Sequence, residues 1–544
     1  MNIMVFEQDK AYIKRQLAAG EIDYVEVASE AAETELFKYV QAEGILAELA
    51  KTYPYQPKKQ DVPLWLYIAS DISMRLHGVH GFHQYPYVIR TGGLINALGP
   101  CVGRKTVHPA NGQVTLCCPG FNKKNDYNRQ TPCDQDYLRK MARRTDAAAL
   151  AKWYSEQMPR LLAARKMFDT EGIFIGDASY IFVPNNKKYK GSVVMLFDEH
   201  NHPVKKENLT KEQVGRCRYR RCYKWVTLIH TNLAGDFYFF VGMRVVPGKD
   251  HECPIMYDMV DEFCATAGRG VMKWLIMDRG FLDGAQMGRL KTQWEVDTLS
   301  GLRSDMAVLA DARGVMKLGT VPWKDYVPPQ REAPAPHSPC PEPIVKRERA
   351  RQRTLRRQEK IAPLPPPEKV AIVNDLTSWD SCPVPLTVVL TEREGEKPWG
   401  LVSTRRTQDA AFLRTMYHVR GAIEERYRQT KLFWDLAGFR SPNFNLVVNQ
   451  VVFVALAYTL VQMHLKAESM TSFSRTTMPA LRQQMLPYAN HVIVYHGTYF
   501  AFLSIPEYTK LVLDIEGAAR KKLKRTMQRL QYEFMHSLQQ VRSP

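Results

Sequence analysis

The pattern of apolar and polar positions divides the chain into stretches of different character. Residues 1–165 predict mainly helix and loop, with one strongly apolar segment over residues 64–72. Four runs rich in β-branched and aromatic residues follow, each bounded by glycine, proline, asparagine or lysine, and this composition is typical of strands. The four predicted strands cover residues 172–183, 193–197, 225–231 and 237–246.

Helices and strands alternate in the next part of the chain. Residues 254–267 carry apolar positions at helical spacing, and the short apolar run at 273–278 predicts a buried strand that ends in an acid. A helix over 281–292 and a strand over 294–299 follow. Strands interleaved with helices predict a mixed α/β sheet.

Proline and basic residues dominate the stretch from Pro322 to Pro367. Between its two proline tracts lies KRERARQRTLRRQEK, residues 346–360, which holds eight Lys or Arg and two Glu. Such a sequence cannot bury a core, and it predicts an extended or mobile insertion. Contact with DNA and a solvated basic linker explain its charge equally well.

Regular patterns resume after this insertion. Strand-like runs at 385–393 and 399–405 precede long predicted helices at 408–435 and 445–467, and a basic helix is predicted over 516–534. The chain therefore divides into a mainly helical region, the first part of an α/β core, the insertion, the second part of the core and a helical basic region. These five parts cover residues 1–165, 166–305, 306–383, 384–470 and 471–544.

The charge balance points to a polyanionic partner. The 544 residues include 75 Lys and Arg against 56 Asp and Glu, a formal net charge of +19. Nucleic acid is the expected partner, since phosphate neutralisation dominates such binding. A membrane is the competing partner, but the most apolar run, Val451–Val461, is about half as long as a membrane span. No signal peptide is recognisable at the N-terminus, so we expect a soluble cytoplasmic protein with reduced cysteines.

The most informative part of the sequence is the predicted helix in YHVRGAIEERYRQTK. Its Tyr417, Arg420, Glu424, Arg428 and Lys431 would fall within an arc of roughly 80°, because each helical residue turns by about 100°. A carboxylate set among cations and a phenol suits a place where a metal-bound phosphate meets the protein. A surface ladder of ion pairs explains the same pattern equally well.

Two further acids lie on predicted strands. Asp177 interrupts the apolar run GIFIGDASYIFV, where an ionised carboxylate is costly unless it is paired or binds a metal. Asp278 ends the apolar strand WLIM, and functional groups collect at such strand ends. Turn or capping roles could explain each aspartate alone. Together with Glu424, the two aspartates match a binding site for hard cations such as Mg²⁺, which prefer oxygen ligands. Phosphoryl transfer by two such ions needs several carboxylates to hold them.

These motifs resemble a known family. The Tyr-x2-Arg-x3-Glu-x6-Lys spacing of the helix is similar to the signature of a large group of bacterial insertion-sequence DDE transposases. GDASYIF around Asp177 and DRGFLDG around Asp278 are similar to the first and second aspartate motifs of that group. The likeness covers residues 170–305 and 385–465.

The resemblance implies a ribonuclease H-like fold with a large insertion before the glutamate helix. It also implies Mg²⁺-dependent cleavage at transposon ends and joining of the freed 3′ ends to target DNA. Asp177, Asp278 and Glu424 would be the catalytic metal ligands, holding two Mg²⁺ ions for which Mn²⁺ could substitute.

The same resemblance implies roles in DNA binding. Tyr417, Arg420 and Lys431 would contact phosphates near the cut, and Arg428 and Arg279 are further candidates for DNA contact. The N-terminal region would recognise the transposon ends. The protein would act as a homodimer or a higher assembly on double-stranded DNA. We expect no nucleotide cofactor, since the chain has no glycine loop of the kind that cradles phosphates.

The insertion departs from the pattern of the family. Better-known relatives carry a β-rich insertion with a tryptophan that stacks on a flipped base. Here the candidates are Trp323, Trp379 and Trp399, and the sequence does not distinguish them. The proline-rich basic stretch leaves open whether a DNA hairpin forms during cleavage.

Two other segments have alternative interpretations. Residues 216–225 combine five Arg or Lys with three aromatic residues, which could grip a DNA backbone or form an exposed edge strand. His251 and Glu252 could approach the metals, although a turn is the favoured interpretation. At the level of function, a nuclease that cuts without strand transfer and a catalytically silent DNA-binding protein remain alternatives.

Overall fold

The computed structural model forms two compact units, Met1–Ala142 with Met478–Pro544, and Arg143–Thr477. The residues that the structure describes are 7–28, 31–57, 63–79, 81–85, 88, 94, 104–107, 114–117, 135–329, 367–393, 398–434, 436, 438–476, 478, 481, 491–497 and 499–541. Most of the proline-rich basic stretch, residues 330–366, lies outside this set.

The described residues in the N-terminal part of the first unit are mainly helical. The apolar segment over residues 64–72 forms α4, which is buried along nearly its whole length. The helices of this part are α1 (Lys10–Ala18), α2 (Ala31–Ala42), α3 (Ile45–Thr52), α4 (Leu64–Leu76) and α5 (Gln135–Arg144). The strands are β1 (Glu7–Gln8), β2 (Tyr24–Ala28), β3 (Arg104–Val107) and β4 (Val114–Cys117).

The second unit begins with the predicted alternation of strands and helices. All four predicted strands are present, and the third is extended at its start by seven residues, to Arg218. The elements in chain order are α6 (Ala147–Ala164), β5 (Ile173–Val183), β6 (Val193–Phe197), α7 (Lys211–Arg216), β7 (Arg218–Thr231), β8 (Phe239–Pro247), α8 (Glu252–Ala267), β9 (Trp274–Met277), α9 (Gly284–Trp294) and β10 (Asp297–Gly301).

These strands form a mixed sheet in the order β8-β7-β5-β9-β10, with β6 also paired to β7. Neighbours β8, β7 and β5 are antiparallel, whereas β5, β9 and β10 are parallel. Three antiparallel strands followed by two parallel strands joined through helices form a ribonuclease H-like core. The predicted α/β fold class is confirmed.

The segment between β10 and the glutamate helix extends the same sheet. It contains α10 (Ala307–Lys317), β11 (Lys324–Tyr326), β12 (Glu368–Leu376), β13 (Leu386–Glu392) and β14 (Trp399–Ser403). Strand β14 pairs with β10, and β13, β12 and β11 follow outward in antiparallel order. Residues 307–326 and 368–376, at the two ends of the predicted insertion, therefore include strands of the same sheet as β5, β9 and β10.

The long helix predicted over 408–435 is divided in two. Helix α11 (Ala410–Val419) ends before Arg420, and α12 (Ala422–Phe433) begins after Gly421. Around this break the backbone bonds close three-residue turns, such as Gly421 N to His418 O at 3.0 Å. Of the five side chains predicted to share one helical arc, Tyr417 therefore lies on α11, Arg420 lies in the break, and the other three lie on α12.

Helix α13 (Phe444–Ala467) is the core helix of the second unit. It is long and apolar enough to cross a membrane, but most of its apolar window is buried inside the fold. A helix that is apolar on all sides is buried by protein on all sides, and this confirms the interpretation of Val451–Val461 as a buried helix.

The C-terminal part returns to the first unit. It contains β15 (His491–His496), β16 (Tyr499–Ser504), α14 (Ile505–Leu513) and α15 (Gly517–Val541), the predicted basic helix. The strands form a sheet in the order β1-β16-β15-β2, so segments from both ends of the chain share one sheet. This sheet was not predicted, because the short runs that form it are almost 500 residues apart.

Candidate active site

The two predicted aspartates lie at the same level on neighbouring parallel strands. The last registered pair between β5 and β9 is Gly176 with Met277, and Asp177 and Asp278 are the next residues on each strand. Strand β10 ends similarly, because Ser300 pairs with Met277 and Gly301 follows. Asp177, Asp278 and Gly301 therefore lie side by side where the parallel pairing of the three strands ends. In open α/β folds ligands bind outside the carboxyl ends of the parallel strands.

Each aspartate is held by one nearby backbone donor. Asp177 accepts from Ala178 N at 2.8 Å. Asp278 accepts from Arg279 N at 2.8 Å and caps the short 3₁₀ turn Arg279–Phe281 that ends β9. The capping role that the sequence left open for Asp278 is therefore real, and it leaves the remaining acceptor capacity of the carboxylate for another partner.

Helix α12 lies over the face of the sheet that carries Asp177. Thr227 is paired with Asp177, and its hydroxyl lies 2.6 Å from the Tyr427 hydroxyl. Lys431 donates to the Ser179 hydroxyl at 2.6 Å. Residues two apart on a strand share a face, so both contacts fix α12 above Asp177. Glu424, one turn before Tyr427, is carried to the same place.

Arg420 stands between the acids. Its guanidinium lies 3.7 Å from Asp177 and 3.8 Å from Glu424. Burial alone would lower the pKa of Arg420, but the Tyr417 phenol and the surrounding carboxylates, Asp278 among them, raise it above its usual value. The guanidinium is therefore firmly charged.

Asp177 is the most perturbed acid of the group. Burial raises its pKa to about 7, Arg420 and the Ala178 N–H oppose that rise, and Asp278 and Glu424 raise the pKa further. Its side chain is only 15% exposed. The protein alone thus stabilises the ionised form poorly, and an additional cation would correct this deficit.

The three carboxylates do not form a metal-binding cluster in this structure. Among the described residues, no group of three or more His, Cys, Asp or Glu side chains is arranged to hold a metal ion. Glu424 is 68% exposed, so its side chain extends toward solvent beside Arg420. The carboxylates of Asp177 and Glu424 lie 3.7 and 3.8 Å from the Arg420 guanidinium instead.

The Tyr417 hydroxyl lies against the backbone of Gly301, beside the two aspartates. A Cβ atom at Gly301 would lie 3.0 Å from the Tyr417 hydroxyl, so the absence of a side chain there makes room for the phenol. The Tyr417 ring also contacts Trp399, with 6.3 Å between ring centroids. Trp379 packs instead against Gly284 at the start of α9. Sequence reasoning missed Gly301, since a glycine at the end of a strand has many explanations.

Arg428 and Arg279 differ in placement from the other predicted DNA contacts. Arg428 makes two 2.6 Å hydrogen bonds to Glu425, so the structure does not bring it to the acids. Arg279 is exposed on the turn after Asp278, and its Cβ lies 4.0 Å from the Cβ position at Gly301. Arg279 therefore borders the site.

His251 and Glu252 have structural partners. The His251 ring caps α8 by accepting from Cys253 N at 3.3 Å. Glu252 pairs with Lys224, a buried lysine on β7 that the sequence analysis did not single out. The turn that the sequence favoured for this segment lies just before it, at Gly248 and Lys249, whereas His251 caps α8 and Glu252 begins it.

A ribonuclease H-like sheet with acids on two adjacent parallel strands where their pairing ends, and a third acid on an overlying helix, defines a class of phosphoryl-transfer proteins. A family model described as "Transposase DDE domain" matches residues 189–460, half of the chain. The chain belongs to this family of DDE transposases, which use divalent metals and act on DNA. Asp278 and Glu424 lie within the matched range, and Asp177 lies twelve residues before it. No curated protein matches the chain.

Proposed function

We propose that this protein cleaves transposon ends and joins their 3′ hydroxyls to target DNA. The observation that carries the proposal is the level placement of Asp177 and Asp278 on adjacent parallel strands beneath the helix of Glu424. Strand transfer and cleavage are both in-line displacements at a phosphodiester, so one site can perform both in turn.

Asp177, Asp278 and Glu424 are the residues that would hold two Mg²⁺ ions, with Mn²⁺ as a substitute. Bound there, the metals would activate the attacking oxygen and stabilise the leaving one. The buried Asp177 suits this role, because its raised pKa reflects a carboxylate that lacks sufficient positive charge nearby. Hard cations prefer such oxygen ligands.

Arg420, Tyr417 and Lys431 would hold the DNA phosphate against the acids. Burial lowers the pKa of Lys431 to about 8 although Asp177 raises it, so the ammonium is mostly charged at neutral pH. An approaching phosphate would stabilise that charge further. Arg279 can reach the same DNA from the turn after Asp278, whereas Arg428 would have to leave Glu425 to take part.

The remaining features of the proposal concern the assembly. Transposition joins two ends, so the active form would be a homodimer or a larger assembly on double-stranded DNA, with the N-terminal region binding the end sequences. The protein would act in the cytoplasm. No nucleotide cofactor enters the proposed chemistry.

One assay separates this function from its alternatives. The protein is incubated with Mg²⁺, labelled DNA carrying the ends of its element, and a target plasmid. Cleavage with joined product supports a transposase, cleavage alone indicates a nuclease, and a shifted but uncut probe indicates a silent DNA-binding protein.

Two adjacent glutamates provide a matched test of the site. Glu424→Gln should reduce cleavage at least about a hundredfold, since it removes a proposed metal ligand. Glu425→Gln should cleave at nearly the normal rate, because Glu425 pairs with Arg428 and Gln429 instead of facing the aspartates. Equal activity of the two variants would overturn the assignment of Glu424.

Removal of the metal should separate binding from chemistry. With EDTA in place of Mg²⁺, we expect no cleavage but continued binding of the labelled DNA, because Arg420 and Lys431 belong to the protein and not to the metal. Cleavage that persists in EDTA would contradict a metal-dependent mechanism.

A further inference from the structure

A short loop beyond Asp177 presents three lysines on the face of the sheet that carries the acids. Residues 184–192, PNNKKYKGS, hold three lysines and no acid. We call this segment the lysine loop. It connects β5 to β6, which lie on opposite sides of β7, so it must cross β7.

The side on which the loop crosses is fixed by Tyr223. Its hydroxyl donates to the Lys190 carbonyl at 2.6 Å. Tyr223 pairs with Ile181, and Thr227 pairs with Asp177. These two pairs are four residues apart along the strands, so they point to the same face. The lysine loop therefore crosses the sheet on the face of Asp177 and α12.

The loop is held firmly by its own contacts. The Tyr189 side chain is buried, and its carbonyl accepts from both the backbone and the hydroxyl of Ser192. Arg221 donates in turn to the Ser192 carbonyl at 3.2 Å. Lys188 N donates to the Asn186 side chain at 2.9 Å. The backbone is thus ordered while the lysine side chains project from it.

The three ammonium groups are available to a ligand. Lys187, Lys188 and Lys190 are all exposed. Within the part of the chain that the structure describes, none of them has a carboxylate partner. Three uncompensated like charges on one ordered loop disfavour the isolated state and favour an anionic partner.

The distance to the acids fits duplex DNA. Four strand residues at about 3.3 Å each separate the level of Asp177 from the level of Tyr223 beneath the loop, or about 13 Å. For a duplex that runs parallel to β5, this spacing corresponds to about four base pairs at 3.4 Å per step. Beyond Asp177, β5 no longer pairs with β9, because β9 ends at Met277.

We propose that the lysine loop binds the phosphate backbone of duplex DNA about four base pairs from the phosphate that the acids attack. This inference rests on the proposed function. It goes beyond the family match, which begins at residue 189, inside the loop, and assigns no role to its lysines.

The test compares two triple variants that remove equal charge. Lys187, Lys188 and Lys190 are replaced by Gln in one variant. In the control variant Lys317, Lys324 and Lys369 are replaced by Gln; these residues are exposed and lie on α10, β11 and β12, toward the opposite edge of the sheet. A third variant with Arg at the three loop positions retains the charge. Binding of a 40-base-pair fluorescent duplex is measured as a function of NaCl concentration.

For the loop variant, we expect the slope of log K against log salt to fall in magnitude by about three, with affinity lower by about tenfold or more. The control and the arginine variant should behave like the unmodified protein, and the latter shows that the charge at the three positions carries the effect. An unchanged thermal midpoint of the glutamine loop variant excludes misfolding as the cause. If the loop variant and the control bind equally well, the inference is overturned while the proposed function stands. If the unmodified protein does not bind duplex DNA, both are overturned.

Discussion

At the scale of single residues, the site depends on positions that make room as much as on those that carry charge. Gly301 bears no chemistry, yet it admits the Tyr417 hydroxyl to the edge where Asp177 and Asp278 meet. Asp278 both caps a turn and faces the site. The sequence identified the acids because a carboxylate is anomalous in an apolar run, whereas a glycine in a strand is not.

Gly301→Ala should reduce DNA cleavage by about tenfold with little loss of stability. The added methyl would stand 3.0 Å from the Tyr417 hydroxyl and displace it, and small misplacements of a substrate-positioning group are costly. Single-turnover cleavage and thermal unfolding measure the two effects.

The double variant Gly301→Ala, Tyr417→Phe provides the control. In Tyr417→Phe the hydroxyl that the added methyl group at position 301 would displace is absent. The double variant should therefore cleave DNA no more slowly than Tyr417→Phe alone. Additive losses would show that Gly301 acts through something other than Tyr417.

At the scale of elements, the buried His230 side chain on β7 hydrogen-bonds two backbone groups at and just before the start of β5. It accepts from Asp169 N and its other ring nitrogen bonds the Ile173 carbonyl, each at 3.0 Å. These partners require a neutral ring with the proton on Nδ1. Burial lowers the pKa of His230 to about 3; Lys466 also lowers it, while the Ile173 carbonyl and Asp169 oppose the shift.

Because these hydrogen bonds need a neutral imidazole, we expect the free energy of unfolding to decrease in acid. Above about pH 6.5 the ring is neutral in both folded and unfolded chains, so the stabilisation is complete. As pH falls from 6.5 toward 3, only the unfolded chain takes up the proton, and stability should fall by as much as about 1.4 kcal/mol per pH unit. Thermal midpoints between pH 7 and pH 5 measure this decline.

The decline should be smaller in His230→Asn, although that variant is less stable at every pH. His200→Asn, at an exposed position, is the control and should keep the normal dependence. A pH dependence that is unchanged in His230→Asn would contradict the assignment.

The sequence predicted elements well where one pattern ran uninterrupted. The strands β5 and β9 and the core helix α13 all appear where apolar runs placed them. The break between α11 and α12 was not predicted, because Arg420 and Gly421 retain helical backbone angles and interrupt only the hydrogen bonding. The shared arc of five side chains assumed a continuous helix, and the contact of Arg428 with Glu425 could not be read from spacing.

At the scale of the whole molecule, one unit is assembled from the two ends of the chain. Strand β2 pairs with β15, and β1 pairs with β16. The core beneath them combines residues from both segments, including Leu17 and Leu503. Such pairing leaves no local trace in the sequence.

Leu503→Ala should therefore loosen segments far from it in sequence. The leucine is fully buried, and its truncation should cost about 2–5 kcal/mol. Hydrogen exchange should show lost protection in β2 as well as in β15 and β16, with protection in β5 and β9 unchanged. A loss confined to β16 would contradict a cooperative sheet.

The sheet built from β1, β2, β15 and β16 also sets an order of events during synthesis. The ribosome completes residues 143–477 before it makes β15. The second unit, which bears the acids, can therefore fold before the two C-terminal strands of the first unit have been synthesised. A polypeptide released before residue 491, by a nonsense codon or a stalled message, would contain Asp177, Asp278 and Glu424 and yet lack the two strands that complete this sheet.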